Sequence, residues 1–462
     1  MPRMRGSPMR QLIHDRGFYK TFAALTLSLA LQNLLTYSVN LADNLMIGQY
    51  SQQAMSAVSL CNQFQFFLQM LVTGVAEGVV VLGAQYWGKN KLAPIRDIIG
   101  VGLRFGLAIA SVMFFLALTI PDTLLQAINN DPVITEEATK YLRIVCFTYL
   151  LFTLTHTLTA SLRSIGVVKV GYVLSFSTLC INITLNYCLI YGNLGFPELG
   201  IQGAAIATLT SRIVELGIII CFLSWKEKTL HLSVNNLLHI DTSFIHDYIH
   251  VALPLLITQA TWGIAQIVQT AIIGHLEDAS SAIAANAIAV LVFQIISVVG
   301  YGAASAAAIL TGKAVGIGDL LLLKRQTITF QLIFGALGVL TGLGIYSSTD
   351  LVLNFYPTLT PETREIAVQF IAVMAITSVG TCYQMASDVG IIRAGGSPSF
   401  SMKNNTIFMW GIVIPAALIS AFICKLPAVA VFFFLKSDQL LKAPVIFYYT
   451  NSYKWIRKVT RE

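Results

Sequence analysis

Few residues in this sequence could do chemistry, and the first is Asp43. It lies toward the C-terminal end of the first long apolar run, flanked by Asn40 and Asn44. An ionised Asp at the centre of a membrane span costs about 2.5–3.5 kcal/mol on insertion scales, so such a group must face a cavity or a partner. Asn182 and Asn186 stand four apart in a later apolar run, hence on one helical face. Thr208 follows at comparable depth in the next run, beyond the Gly-Asn-Leu-Gly-Phe-Pro-Glu-Leu-Gly turn of 192–200. A carboxylate, two amide oxygens and a hydroxyl offer hard oxygen ligands for a small cation. A carboxylate stripped of water also takes up a proton readily. The competing reading of Asn182, Asn186 and Thr208 is that they hydrogen-bond neighbouring helices as structural links.

The other intramembrane polar residues are more diffuse. Gln269 stands at the matching place of the second half of the chain, so the halves are chemically unequal there. Gln259, Trp262 and Gln266 on one run, with Tyr383 and Gln384 on another, would suit a flat organic cation through amides and aromatic faces, although aromatic residues in spans also simply pack. Together with Asn40, Gln269 and Asp388 they form the expected substrate cavity. Asp388 precedes Arg393 by five residues, a poor spacing for a direct pair on an α-helix, so Asp388 is expected to face the second-half cavity. Glu77, Arg163 and Arg393 read as gating or structural charges, and Arg212 and Glu215 as a simple i, i+3 pair. There is no phosphate-binding loop, no His pair spaced for zinc and no nucleophile elbow, so neither enzyme chemistry nor a cofactor is expected. Work must then come from an ion gradient, in which each charge crossing yields about 2.3 kcal/mol per 100 mV.

The elements that must position these groups are membrane helices. The 462 residues are 56% hydrophobic and 11% charged, against roughly 25% charge in an ordinary soluble domain. Uncharged apolar runs of about 20 residues recur along the chain, each long enough to span a bilayer. Boundaries at Gly, Pro and charge clusters place spans near 21–47, 54–82, 97–120, 138–161, 168–192, 200–224, 248–274, 281–311, 326–348, 365–391, 400–423 and 427–449. The last contains Lys436, Asp438, Gln439 and Lys442, so it is expected to be partly buried or to line the protein interior. The net charge of +7 is scattered over short loops, which excludes a nucleic-acid face. Most basic residues fall on one side of the membrane, among them Lys89, Lys91, Arg96, Lys226, Lys228, Lys324 and Arg325, while Asp122, Asp131, Glu198, Glu277 and Asp350 fall on the other. The positive-inside rule then puts both termini in the cytoplasm. The expected organisation is a cytoplasmic tail 1–20, one lobe 21–225, a linker 226–247, a second lobe 248–449 and a basic cytoplasmic tail 450–462. Seven cysteines without metal-like spacing imply no disulfide framework.

The two lobes repeat. LADNLMIGQYSQQAMSAVS resembles IVQTAIIGHLEDASSAIAANA, with Gly48 opposite Gly274 and Ala57 opposite Ala285. Gly74 and Gly88 match Gly302 and Gly316, and the Leu-Arg-Ser-Ile-Gly of 162–166 matches the Ile-Arg-Ala-Gly-Gly of 392–396. Six spans per half make the repeats parallel, related by an axis along the membrane normal, the architecture of transporters that work by alternating access. The bland alternative is that the shared glycines only serve close helix contacts.

These residues carry a likeness. DNLMIG at 43–48, GAQYWGKNK at 83–91, LRSIG at 162–166, the block 182–208 and IIRAGG at 391–396 resemble bacterial transporters of the multidrug and toxic compound extrusion (MATE) family, as do the C-terminal LKSDQLLKAP and WIRKVTRE. The resemblance implies an all-α membrane protein of twelve transmembrane helices in two six-helix bundles. It implies an antiporter, monomeric in a bacterial cytoplasmic membrane, that exports organic cations or amphiphilic drugs in exchange for protons or sodium ions. It also implies an ion site at Asp43, Asn182, Asn186 and Thr208, with sodium, where that is the ion, held by Asp43, Asn182 and Thr208. Relatives with a sodium site commonly have Asp where this chain has Asn186, so one charge is missing. Members of one branch carry acids on the seventh span and after the Arg-x-Gly-Gly turn; here those places hold Gln or Trp and Ser397. The alternative, a flippase of lipid-linked saccharides on a related fold, calls for a large cationic groove that spans 1, 2, 7 and 8 do not supply.

Overall fold

A computed structural model describes residues 12–126, 131–232, 241, 243–276, 278–356 and 359–461. Arg3, Arg5 and Arg10 of the expected N-terminal tail, 233–240 and 242 of the linker, and Glu277 lie outside the described residues. Everything regular among the described residues is helical. That is the arrangement lipid demands, because no water is present to satisfy an open backbone. Among the described residues eleven helices are long and apolar enough to cross a membrane, twelve when the pair Pro132–Val145 and Phe147–Ser164, bent by 46°, is taken as one; Ala279–Ile296 and Val298–Ile317 count there as two, and neither helix after Pro427 is counted.

In chain order the stretches are α1 (Arg16–Tyr50), α2 (Gln52–Gly88), α3 (Leu92–Thr119), α4 (the bent pair), α5 (Lys169–Tyr191) and α6 (Gly200–Trp225). They continue with α7 (Ser243–Gly274), α8 (Ala279–Ile296 and Val298–Ile317), α9 (Leu320–Ser347) and α10 (Pro361–Ser387, extended by Asp388–Arg393). The last two are α11 (Pro398–Ile423) and α12 (Ala428–Lys436 and Asp438–Asn451). The eighth and twelfth expected spans are each interrupted once, at Ser297 and Ser437. Local chemistry fixes the ends. Asp131 before Pro132 accepts from the amides of Val133 and Ile134, Thr360 before Pro361 accepts from Thr363, and Asp319 caps Leu321 and Leu322. Gly192 and Gly318 end α5 and α8 at φ +69° and +83°, a left-handed turn that costs glycine nothing.

The chain divides into two compact units, residues 31–260 and residues 1–30 with 261–462. The division falls inside α1 and α7 and not at the linker 226–247. Packing explains both places. In the 31–260 unit, Gly74 and Gly78 of α2 bring its backbone against Leu256, Ala252 and Tyr248 in the first half of α7, and the Tyr248 hydroxyl donates to Val75 O at 2.6 Å. Small residues that let two membrane helices touch backbone to backbone are the usual basis of such a contact. In the other unit the start of α1 joins α9: Phe18 and Phe22 pack on Phe330 at 5.7 and 5.3 Å between ring centroids, and the Ile13 amide donates to Thr329 Oγ1 at 3.3 Å.

Helix α11 carries two wide turns, Ile407–Val413 and Ile419–Ile423. Pro415 follows the first; it lacks an N–H and its ring crowds the carbonyl four residues back, which a widened turn relieves. Beyond α12 the basic C-terminal segment is docked. Trp455 is fully buried over Gly395 with its indole N–H donating to Thr450 O at 2.8 Å, and the Arg457 amide donates to Gly395 O at 2.8 Å. Trp455→Ala should therefore lower stability by about 3–5 kcal/mol, the usual range for emptying a buried aromatic site. A clear drop in detergent melting temperature checks it, and an unchanged one means the segment is only draped on the surface.

Candidate functional site

Within the 31–260 unit, α1, α5 and α6 bring Asp43, Asn182, Asn186 and Thr208 together. Asn182 and Asn186 are 1% and 0% exposed, whereas Asp43 is half-buried. Asn186 Nδ2 donates to Asp43 Oδ1 at 2.5 Å and to Asn182 Oδ1 at 3.1 Å. Both partners are acceptors, which settles the way the Asn186 amide points. Its Oδ1 is then left buried without a partner, an acceptor lacking the donor or cation that buried oxygens ordinarily have. Asp43 makes no ion pair with any described residue.

Asp43, Asn182 and Thr208 wall a cavity of about 40 Å³ lined also by Asn40, Asn44, Asn62, Gln65, Tyr141, Thr178, Ser211 and Arg212. At roughly 10–15 Å³ per water this holds a few waters or a small ion. It is far below the roughly 300–1,000 Å³ of a drug pocket. The sequence reading missed Asn62, Gln65 and Tyr141. The first two stand three apart on α2 and could have been seen as a polar face, but Tyr141 gives no signal, because it meets residues of helices remote in the chain. Arg212 is held by Glu215 at 2.6 Å, as its spacing suggested, and lies 5.3 Å from the Phe152 ring. Its charge still reaches Asp43 in the same wall.

The residues expected to line the substrate cavity divide between the two units. Gln259 lies in the 31–260 unit, where its Nε2 donates to Glu77 Oε1 at 3.3 Å, and the Glu77 charge in turn attracts Arg163. The rest, apart from Asn40, belong to the other unit and go to separate partners. Tyr383 Oη donates to Gln331 Oε1 at 2.7 Å, Gln384 Nε2 to Gln439 Oε1 at 2.8 Å, and Gln269 sits between Met409 and Lys436. Trp262 is 40% exposed and Gln266 is half-buried. Spacing along a helix could not foresee this, because each partner comes from a helix remote in sequence.

Asp388 departs furthest from expectation. It does not face an open cavity: Arg393 Nε and Nη2 both lie 2.9 Å from its Oδ2, Ser401 donates to its Oδ1, and Asp388 and Arg393 are 3% and 8% exposed. The i, i+5 spacing that argued against a pair is the register of a π-helical turn, and Asp388–Arg393 forms one. The expectation presumed α-helical geometry throughout. Along α12, Asp438 and Lys442, 2% and 3% exposed, pair at 2.9 Å, so its polar residues line the protein interior as expected. No cluster of three His, Cys, Asp or Glu suited to a metal occurs among the described residues.

Comparison with known proteins agrees with this fold. The profile of the MatE family matches twice in tandem, over residues 28–188 and 254–419. An uncharacterized transporter, YisQ of Bacillus subtilis (strain 168), is 24% identical over 448 residues, covering 95% of this chain and 96% of its own. A probable multidrug resistance protein, NorM of Thermotoga maritima, is 24% identical over 438 residues, covering 93% and 92%. Among solved structures, a MATE in complex with MaL6 superposes with a TM-score of 0.85 at 18% identity over 97% of this chain and 98% of that one. The eukaryotic MATE transporter AtDTX14 gives 0.83 at 15% identity over 98% of each.

The Asp388–Arg393 pair yields a test of its own. Asp388→Ala strands a buried guanidinium and should cost about 3–5 kcal/mol, whereas Asp388→Asn, which keeps an acceptor for Arg393, should cost less. Melting of the two variants in detergent ranks them, and equal losses would refute the pairing role.

Proposed function

Because this chain belongs to the MatE family, an all-α family of integral membrane transporters, we propose that it is a secondary active antiporter. In this reading it exports organic cations and amphiphilic drugs by alternating access, in exchange for a monovalent cation taken up at Asp43. It sits in a bacterial cytoplasmic membrane as a monomer with both termini inside, following the asymmetry of its basic loops. One observation carries the reading. Asp43 is a half-buried carboxylate at membrane depth without an ion pair, in a cavity large enough for an ion and too small for a drug. The orphaned Asn186 Oδ1 beside it is a further acceptor for an arriving cation or proton donor.

The coupling ion in our reading is the proton. Sodium needs several oxygen ligands and benefits from net negative charge. Here the neighbour of Asp43 at 2.5 Å is a donating amide nitrogen, and the Arg212 guanidinium stands in the same wall. A proton needs only one carboxylate oxygen. Loading Asp43 with a proton removes the charge that would hold a cationic substrate, so one leaves as the other arrives. Exchange of one proton for one monovalent organic cation moves no net charge, so each pH unit across the membrane supports about a tenfold substrate gradient.

Everted vesicles given a proton or a sodium gradient separately, with ethidium as the transported dye, test this. Wild type should respond to the proton gradient. Asp43→Asn should insert at normal levels and lose flux by at least about tenfold, and unchanged flux in that variant rejects the mechanism. Asn186→Asp, which restores a second carboxylate, should add a sodium response.

A further inference from the structure

Lys436 closes the first half of α12, at the break where Ser437 separates it from Asp438–Asn451. The position is near the middle of the twelfth stretch, and the side chain is half-buried. Its ammonium donates to Gln269 Oε1 at 3.1 Å and lies 5.5 Å from the centroid of the Phe432 ring. No described carboxylate forms an ion pair with it. The neighbouring acid, Asp438, is already engaged by Lys442 Nζ at 2.9 Å and by Gln439 Nε2 at 2.9 Å. A charge at membrane depth is expensive unless it meets a partner, and an ammonium has three protons to donate. One amide oxygen and a ring face leave most of that capacity unused.

The surroundings supply donors and few acceptors. Gln269 Nε2 is turned to the thioether of Met409 at 3.4 Å, and the indole nitrogen of the adjacent Trp410 is buried without a partner. Gln269 also stands five residues before Gly274, as Asp43 stands five before Gly48, so the two are equivalent in the internal repeat. The place that carries a lone carboxylate in one half thus carries, in the other, an amide that holds a lone ammonium.

We propose that Lys436, oriented by Gln269 and Phe432, is a subsite for the carboxylate of a transported amphiphile. The transport part of this statement rests on the antiport reading above; the binding part stands by itself. Lys436 holds the anionic oxygens by charge-assisted hydrogen bonds, and Phe432 offers an apolar surface to the body of the molecule.

Rhodamine B and its ethyl ester share one cationic ring system and differ in the free carboxylate, which makes them the probes. Fluorescence polarisation with the purified full chain in detergent should show Lys436→Met weakening the acid about tenfold and the ester by less than twofold. Lys436→Arg should keep most of the acid affinity. Equal weakening of acid and ester, or no change for the acid, overturns the proposal. A second measurement needs no variant. Acylation of Lys436 in the wild type, followed by mass spectrometry, should be slowed by saturating rhodamine B and not by the ester, and labelling indifferent to the acid overturns the proposal equally. Failure of the wild type to bind the ester counts against the organic-cation reading above, whereas only the acid-specific change bears on Lys436.

Discussion

A charge placed in hydrocarbon costs about 2.5–3.5 kcal/mol even on lenient scales, and the polar anatomy of this protein follows from how each charge meets that cost. Arg212 with Glu215, Asp388 with Arg393, and Asp438 with Lys442 are all held within 3 Å. Each pair lies within one helix and is largely neutral to the membrane, and Asp388 and Lys442 reach out from theirs to Ser401 and Asn405 of α11. Among the described residues Asp43 and Lys436 have no such pair. Asp43 has amide partners, and Lys436 has an amide and a ring.

The same economy shapes the backbone. A membrane helix cannot leave amides open, so its irregularities are wide turns and bends that keep hydrogen bonds and not loops. One of them positions chemistry: the wide turn at the end of α10 lets Arg393 reach Asp388. The Gly395–Gly396 pair that follows is needed for a different reason. A Cβ on Gly395 would strike the Trp455 ring, and Gly396 sits at φ +98°, which other residues rarely adopt.

Cavity size separates ion from substrate. About 40 Å³ at Asp43 admits a proton carrier or a small ion while excluding a drug. In the antiport we propose, that carboxylate belongs to the coupling ion, and exchange is enforced by charge at a single group.

Much of this was legible in one dimension. Lipid imposes length and apolarity on every span independently, so helix count, membrane class and the internal repeat are written locally, and so is the oddity of Asp43. The face shared by Asn182 and Asn186 follows from a period of 3.6 residues, which the sequence alone contains. What the sequence did not determine is who meets whom between helices. Gln259 with Glu77, Gln269 with Lys436, Tyr383 with Gln331 and Tyr141 beside Asp43 join residues tens to hundreds of positions apart, and no periodicity encodes such pairs. The Asp388–Arg393 pair lay hidden for a second reason, because its spacing is wrong for an α-helix and right only after tertiary packing has widened the turn. Local physics chose the helices, and only their packing decided which charges are neutralised and which are left free to act.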